Sequence, residues 1–298
     1  MSEPSFHTIT LGCKLNQFDT AAIEGELTHR GYVRAASPER AEIVIVNTCT
    51  VTAKADADAR RLIRGIRRAN GDCRLLVTGC YAELAPDAIA AIPGVDRVFG
   101  NRDKPALAGI LDALGARPRS PVVGAGADPG SAATSSVIAP GDRGCDAGLD
   151  LPDALHFGAR SRAFLKVQEG CDLACSYCII PRVRGASRSV PADRIRDTMR
   201  SLFDGGFREV VLTGVNTGDW GKDLEPRSDL ATLIRSLLDA AGPNRIRLNS
   251  LEPRTVTDAI VRAFVDDRRL APHLQVPLQS GSDPTLRAMR RNYRASDY

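Results

Sequence analysis

The sequence predicts an α/β fold in two parts, an open parallel sheet followed by a partial β/α barrel. Three observations carry that expectation. Short β-branched runs alternate with amphipathic stretches from Phe6 to Leu114, a segment rich in Pro, Gly, Ala and Ser then interrupts the alternation, and βα units resume at Ala163. A chain of 298 residues, 43% of them hydrophobic, can bury a sizeable core and has the length of roughly two domains. The boundaries follow composition: residues 1–115 form the sheet domain, 116–158 a linker and 159–298 the barrel domain.

In the first part, Phe6 to Leu11 reads as a strand, Thr20 to Tyr32 as a helix, Ile43 to Asn47 as a buried strand, Ala55 to Ala69 as a helix and Arg74 to Thr78 as a strand. Asp87 to Ile92, Arg97 to Gly100 and Pro105 to Leu114 continue the alternation. An open sheet of this Rossmann-like or flavodoxin-like kind binds ligands outside the carboxyl ends of its strands. Its first three strands run into Gly12-Cys13, Thr48-Cys49 and Gly79-Cys80, so three thiols distant in sequence are expected at one rim. Read singly, each is a small buried hydrophobe. Read as three equivalent positions they form a three-thiolate metal site, with the glycines beside Cys13 and Cys80 letting backbone approach a bulky cofactor. Cys73 opens the third strand and reads as structural.

Between Gly115 and Gly158 no apolar period supports an element, and the stretch reads as a long linker or mobile insertion. Cys145 lies inside it and is expected to be incidental, because a flexible position cannot pre-organise a ligand.

In the second part, Ala163 to Gln168 reads as a strand, Pro191 to Phe203 as a helix, Glu209 to Thr213 as a strand and Leu230 to Ala241 as a helix. Arg245 to Leu248, Val256 to Val265 and His273 to Val276 follow as strand, helix and strand. Successive βα units put an active site on the strand-carboxyl face. The first strand feeds Cys171-Asp-Leu-Ala-Cys175-Ser-Tyr-Cys178, three cysteines within eight residues. A structural zinc site or an ordinary ferredoxin cluster takes four protein ligands. Three thiolates on a 4Fe-4S cube leave one iron open; zinc-binding or buried structural cysteines are the alternative reading of the loop.

This CxxxCxxC spacing resembles the signature of the radical S-adenosylmethionine (SAM) enzymes. The resemblance implies that Cys171, Cys175 and Cys178 hold a catalytic cluster whose open iron chelates SAM and whose electron releases a 5′-deoxyadenosyl radical. Leu11-Gly12-Cys13-Lys14-Leu15-Asn16-Gln17, Asn47-Thr48-Cys49-Thr50-Val51-Thr52 and Thr78-Gly79-Cys80-Tyr81-Ala82 look like the three cysteine motifs of the methylthiotransferases within that superfamily. In those enzymes a methylthio group is inserted into a C–H bond, and the N-terminal domain carries an auxiliary 4Fe-4S cluster that holds the sulfur. The first two motifs most resemble the branch acting on threonylcarbamoyladenosine in tRNA; the isopentenyladenosine and ribosomal-protein branches tend to differ after the first cysteine.

The resemblance implies two 4Fe-4S clusters, on Cys13, Cys49 and Cys80 and on Cys171, Cys175 and Cys178, together with SAM. Thr213 and Gly214 end one strand where the superfamily contacts SAM, and Ser250 and Glu252 stand at the next strand end. The plain alternatives are a turn at Gly214 and a capping loop before Thr255. Gln275 to Ser282 matches the family's late strand-and-turn motif, its polar residues facing either substrate or only the turn. Arg182 stands where the family commonly has Tyr or Phe, within an otherwise matching Pro181 to Ser189 segment. Implied partners are tRNA, an electron donor of flavodoxin or ferredoxin type, and an unidentified sulfur donor. Family members continue beyond the position of Tyr298 to finish the barrel and add a small β-rich RNA-binding domain, so a C-terminally truncated barrel with an unpaired edge is expected.

Charge and composition fit this frame. Net charge is +4, and Arg60, Arg61, Arg64, Arg67 and Arg68 fall at helical spacing on one predicted face, suited to phosphates or simply to solvent. The start lacks a basic region followed by an apolar run, and no stretch is long enough to span a bilayer, so a cytoplasmic protein with reduced cysteines is expected. Neither a nucleophile elbow nor a phosphate loop is present, and the four histidines are not spaced as a metal pair. The rival reading is a non-catalytic iron–sulfur carrier or zinc-binding RNA module, against which two sites of three cysteines each argue.

Overall fold

Every residue of Ile43–Thr48 is buried, as a strand covered on both faces requires. The computed structural model in which this is seen describes residues 4–115, 136–137, 149, 151–152, 155–157 and 161–298. Most of the expected linker, and Cys145, lie outside the described residues. The chain divides into two compact units, Met1–Arg143 with Ala154–His156, and Gly144–Asp153 with Phe157–Tyr298.

The first unit runs β1 (Ser5–Thr10), α1 (Lys14–His29), β2 (Val33–Arg34), β3 (Ile43–Thr48), α2 (Ala53–Ala69), β4 (Arg74–Gly79), α3 (Cys80–Leu84), α4 (Pro86–Ala90), β5 (Arg97–Val98), α5 (Leu107–Ala113) and β6 (Ser136–Val137). Its sheet has the order β2-β1-β3-β4-β5-β6 with every neighbouring pair parallel. The strand period of two sorts side chains between two cores. Val44, Val46, Leu75 and Val77 face Ala59, Ile63 and Ile66 of α2. Ile43, Ile45 and Leu76 face Ile23 and Leu27 of α1 and Leu107, Ile110 and Leu111 of α5. This order is the flavodoxin-like one, in which the chain reverses direction between β1 and β3 and opens a crevice at their carboxyl ends.

Three expectations are corrected here. Helix α1 begins at Lys14, six positions before Thr20, because its polar first turns are buried against the strand ends rather than exposed as loop. The five arginines do not share one solvated face. Arg67 turns inward to donate to Gly71 O at 2.6 Å and Cys73 O at 3.0 Å and to pair with Asp96 at 2.8 Å, and Arg60 donates to the Tyr81 hydroxyl at 2.5 Å. Arg61, Arg64 and Arg68 remain exposed. Finally, β6 forms inside the stretch expected to lack any element, pairing with β5. Cys73 is buried in the α2 core, in keeping with a structural role.

The second unit runs β7 (Arg162–Lys166), β8 (Gln168–Glu169), α6 (Ile180–Arg184), β9 (Arg188–Ser189), α7 (Ala192–Asp204), β10 (Glu209–Thr213), α8 (Leu230–Ala240), β11 (Arg245–Leu248), α9 (Asp258–Asp266) and α10 (Asp283–Ala288). Strands β7, β10 and β11 form a parallel sheet in sequence order, the start of a βα barrel. β8 and β9 pair antiparallel and close the base of the loop that carries Cys171, Cys175 and Cys178. The expected strand at His273 to Val276 is not formed. Pairing beside β11 occurs earlier, through the Ile246 to Leu270 bridge and Ala271 N donating to Ile246 O at 2.8 Å. The next donor in that register, His273 N, instead turns back to Ala271 O at 2.6 Å, so the ladder goes no further. Among the described residues no helix is long and apolar enough to cross a membrane.

Candidate functional site

The first-unit cysteines follow directly from strand order. Cys13 caps α1 just past β1, Cys49 follows β3 on the other side of the crevice, and Cys80 follows β4 next door. Cys13 is exposed while Cys49 and Cys80 are buried. Gly12 has φ +104°, and a Cβ there would stand 2.7 Å from Cys49 Cβ and 2.9 Å from its Sγ, so glycine lets the Cys13 segment reach Cys49. Gly79, at φ +99°, would instead drive a Cβ into the backbone of Thr48, 2.5 Å from its N. The Gly79 requirement is therefore one of strand contact, where sequence reasoning had supposed room for a cofactor. Burial pushes the Cys49 thiol up, and the nearby Cys80 and Cys13 add to it.

A polar framework holds this rim. Asn16 Nδ2 donates to Leu11 O at 2.7 Å and Thr48 O at 3.0 Å, and Asn47 Nδ2 returns to Asn16 O at 2.9 Å. Lys104 Nζ pairs with buried Asp19 at 2.7 Å and donates to Asn101 Oδ1 at 2.8 Å, while Asn101 Nδ2 reaches Cys80 Sγ at 3.8 Å. Sequence reasoning missed Asn101 and Lys104. The available signal was their place just past β5, the next strand of the same rim.

In the second unit, Cys171 is buried and Cys175 and Cys178 are partly so. Burial raises the Cys171 thiol to about 11, with Cys178, Asp219 and Cys175 adding to the effect. Metal binding there must accordingly release a proton. The loop is tied to the strand ends by Gln168, which is fully buried. Its Nε2 donates to Gly170 O at 2.7 Å and Ser187 Oγ at 2.9 Å, and its Oε1 accepts from Val215 N and Asn216 N, both at 3.0 Å. Beside it, buried Glu169 pairs with Arg184 at 2.6 Å and Lys166 at 3.0 Å.

The four candidate SAM residues stand at the carboxyl ends of β10 and β11. Thr213 closes β10 and is buried. Gly214 packs where a Cβ would meet Gln168 Oε1 at 2.8 Å, so this turn has a packing reason for glycine. Ser250 has φ +60°, a left-handed conformation costly for a non-glycine residue, and is fixed by Ser250 N donating to Gln275 Oε1 at 3.1 Å. Thus Gln275, in the late motif, supports the Ser250 turn. Glu252 pairs with Arg291. Burial works against the Arg291 charge, but Glu252 and then Cys175 outweigh it and raise its pKa. Arg291 was not singled out from sequence, since its contact with Cys175 spans 116 positions.

Among the described residues no three His, Cys, Asp or Glu side chains converge tightly enough for a single metal ion. Each unit nevertheless brings three thiols within electrostatic range of one another. Such sulfur sets suit a polynuclear iron–sulfur group, whose thiolates sit on separate irons, and at Gly12 any side chain would press on the Cys49 sulfur.

Residues 5–100 match an uncharacterised protein family, UPF0004, and residues 165–298 match the radical SAM superfamily. The chain is 36% identical over 293 residues to the threonylcarbamoyladenosine tRNA methylthiotransferase MtaB of Bacillus subtilis, covering 98% of this chain and 61% of that protein. It is 35% identical over 290 residues to the protein of the same name from Thermotoga maritima, covering 97% and 61%. It is also 35% identical over 310 residues to the tRNA-2-methylthio-N(6)-dimethylallyladenosine synthase of Sphingopyxis alaskensis, covering 100% and 64%. The chain therefore spans 61–64% of the length of these curated relatives. Among solved structures, the radical SAM methyltransferase TsrM from Kitasatospora setae aligns with a TM-score of 0.60 at 14% identity, over 99% of this chain and 64% of that one. The cobalamin-dependent SAM radical enzyme OxsB aligns with a TM-score of 0.60 at 11% identity, over 99% and 46%. At these identities the likeness shows the fold.

Proposed function

The chain belongs to the radical SAM methylthiotransferase family, and on that premise we propose that it serves to insert a methylthio group at carbon 2 of threonylcarbamoyladenosine beside the tRNA anticodon. The observation that carries the reading is the presence of two three-thiol sites, Cys13, Cys49 and Cys80 at a sheet crevice and Cys171, Cys175 and Cys178 on a strand-end loop. Each trio would hold one 4Fe-4S cluster. When bound, the cluster of the second unit supplies the electron that cleaves SAM reductively.

The protein's own residues do the placing. Gln168 fixes the cysteine loop against the Gly214 turn, so that the loop and the candidate SAM contacts Thr213, Gly214 and Ser250 share one strand-carboxyl face. Glu252 is already committed to Arg291, which makes its carboxylate a brace for that face before it is a SAM contact. A base in a tRNA loop can be splayed out without opening a duplex, which makes it an accessible substrate. The electron would come from a donor of flavodoxin or ferredoxin type.

A second reading, methylthiolation of dimethylallyladenosine, draws on the 35% identity to a relative named for that product. Mass spectrometry of tRNA nucleosides from a strain lacking the gene separates the two. Loss of the methylthio form of threonylcarbamoyladenosine alone supports the first, and loss of the methylthio form of dimethylallyladenosine replaces it with the second.

A further inference from the structure

Arg291 places a cation against one of the three loop cysteines. Its Nη1 donates to Cys175 Sγ at 3.0 Å. The guanidinium is held from two other sides, by Nη2 donating to the Glu252 carboxylate and by the Tyr293 ring 5.2 Å from its central carbon. Tyr293 is fixed in turn by donating its hydroxyl hydrogen to Leu278 O at 2.6 Å. The Arg291 side chain is only 4% exposed. The backbone around it docks on the same loop, with Ser176 N donating to Met289 O at 3.2 Å and Ser176 Oγ to Ala288 O at 3.0 Å.

Burying and ordering a long cation costs desolvation and rotamer entropy, and a surface ion pair with Glu252 would avoid both. The rigid guanidinium fork can serve a carboxylate and a sulfur at once, which a lysine ammonium on a flexible stem cannot do with fixed geometry. Cys171 contrasts with this, since its Sγ accepts from a neutral donor, Leu173 N, at 3.4 Å. The reduction potential of an iron–sulfur group depends on its net charge and on hydrogen bonds to its sulfurs.

We infer that Arg291 is a positioning residue that holds the Cys175 sulfur for ligation and, through a charged hydrogen bond to that sulfur, favours the reduced state of the cluster bound there. The inference rests on the proposed cluster at Cys171, Cys175 and Cys178. Its test compares the intact chain with Arg291→Gln and Arg291→Lys after anaerobic reconstitution. The readouts are iron content, thermal melting and the midpoint potential of the paramagnetic signal that responds to added SAM. If the unaltered protein shows no SAM-responsive signal, the cluster reading itself fails before any variant is compared.

With that signal present, the expected result is full iron in Arg291→Gln with a midpoint shifted to more negative potential, and partial recovery in Arg291→Lys. An unchanged midpoint in a fully loaded Arg291→Gln overturns the inference. If Arg291→Gln melts normally but does not load while Arg291→Lys does, a cation beside Cys175 is needed for assembly and the inference stands. Failure of both variants to load shows that residue 291 acts through the fold and overturns it.

Discussion

Cys13, Cys49 and Cys80 reach one rim because three strands of one sheet end there, whereas Cys171, Cys175 and Cys178 share eight residues of a loop closed by β8 and β9. The first site inherits its geometry from the sheet, and Gly79 there answers to strand packing. The second has little regular structure of its own and is shaped by distant side chains, Gln168 beneath it and Arg291 beside it. A site made by topology is robust to local change, while one made by a loop depends on the buried polar groups that hold it.

The largest expected effect separates the two sites by chemistry. Replacing Cys171, Cys175 and Cys178 together by Ala should abolish formation of 5′-deoxyadenosine, read by chromatography of reaction mixtures. Replacing Cys13, Cys49 and Cys80 together should remove about half the iron yet keep SAM cleavage if each trio loads its own cluster, as proposed. Loss of all iron in the second variant would mean a single shared site.

Stability separates them next. Glu169→Gln leaves buried Arg184 and Lys166 without that counter-charge beside the cysteine loop and should cost roughly 3–5 kcal/mol in denaturant unfolding. Gly79→Ala at the first site combines a left-handed backbone with a clash on Thr48 and should cost roughly 3 kcal/mol. A Gly79→Ala protein as stable as the original would refute the strand-contact explanation for that glycine.

The smallest effect concerns pH and the cluster-free protein. Burial raises the folded Cys171 thiol from 9.0 to about 11, so the folded state favours the neutral form. Its contribution is fully present below the unfolded value and is lost as pH rises through that window. Melting temperature should therefore fall more between about pH 8 and about pH 11 in the original protein than in Cys171→Ala. Equal falls would show that Cys171 is not the group being charged.

The same contrast explains what the sequence made legible. Strands Glu209–Thr213 and Arg245–Leu248 were readable to the residue, because β-branched and apolar runs bounded by turns leave little choice. The start of α1 was not, since Asn16 and Asp19 read as loop until Lys104, Leu11 and Thr48 supply their partners. The strand at His273 to Val276 failed because His273 N, the next ladder donor after Ala271, turns back onto Ala271 O. All six candidate cysteines stand out in the sequence as motif or as strand-end position. Arg291 and Gln168 were not, because their importance lies in contacts across 116 and 48 positions that no local spacing encodes.

The central claim is that the Cys171, Cys175 and Cys178 loop holds an iron–sulfur cluster with an open iron that takes SAM. Anaerobic reconstitution followed by iron and sulfide analysis, with spectra recorded before and after SAM is added, tests it most directly. The account predicts bound iron and sulfide in equal amounts and a spectrum that changes on adding SAM. Zinc as the only metal, with no response to SAM, would contradict it.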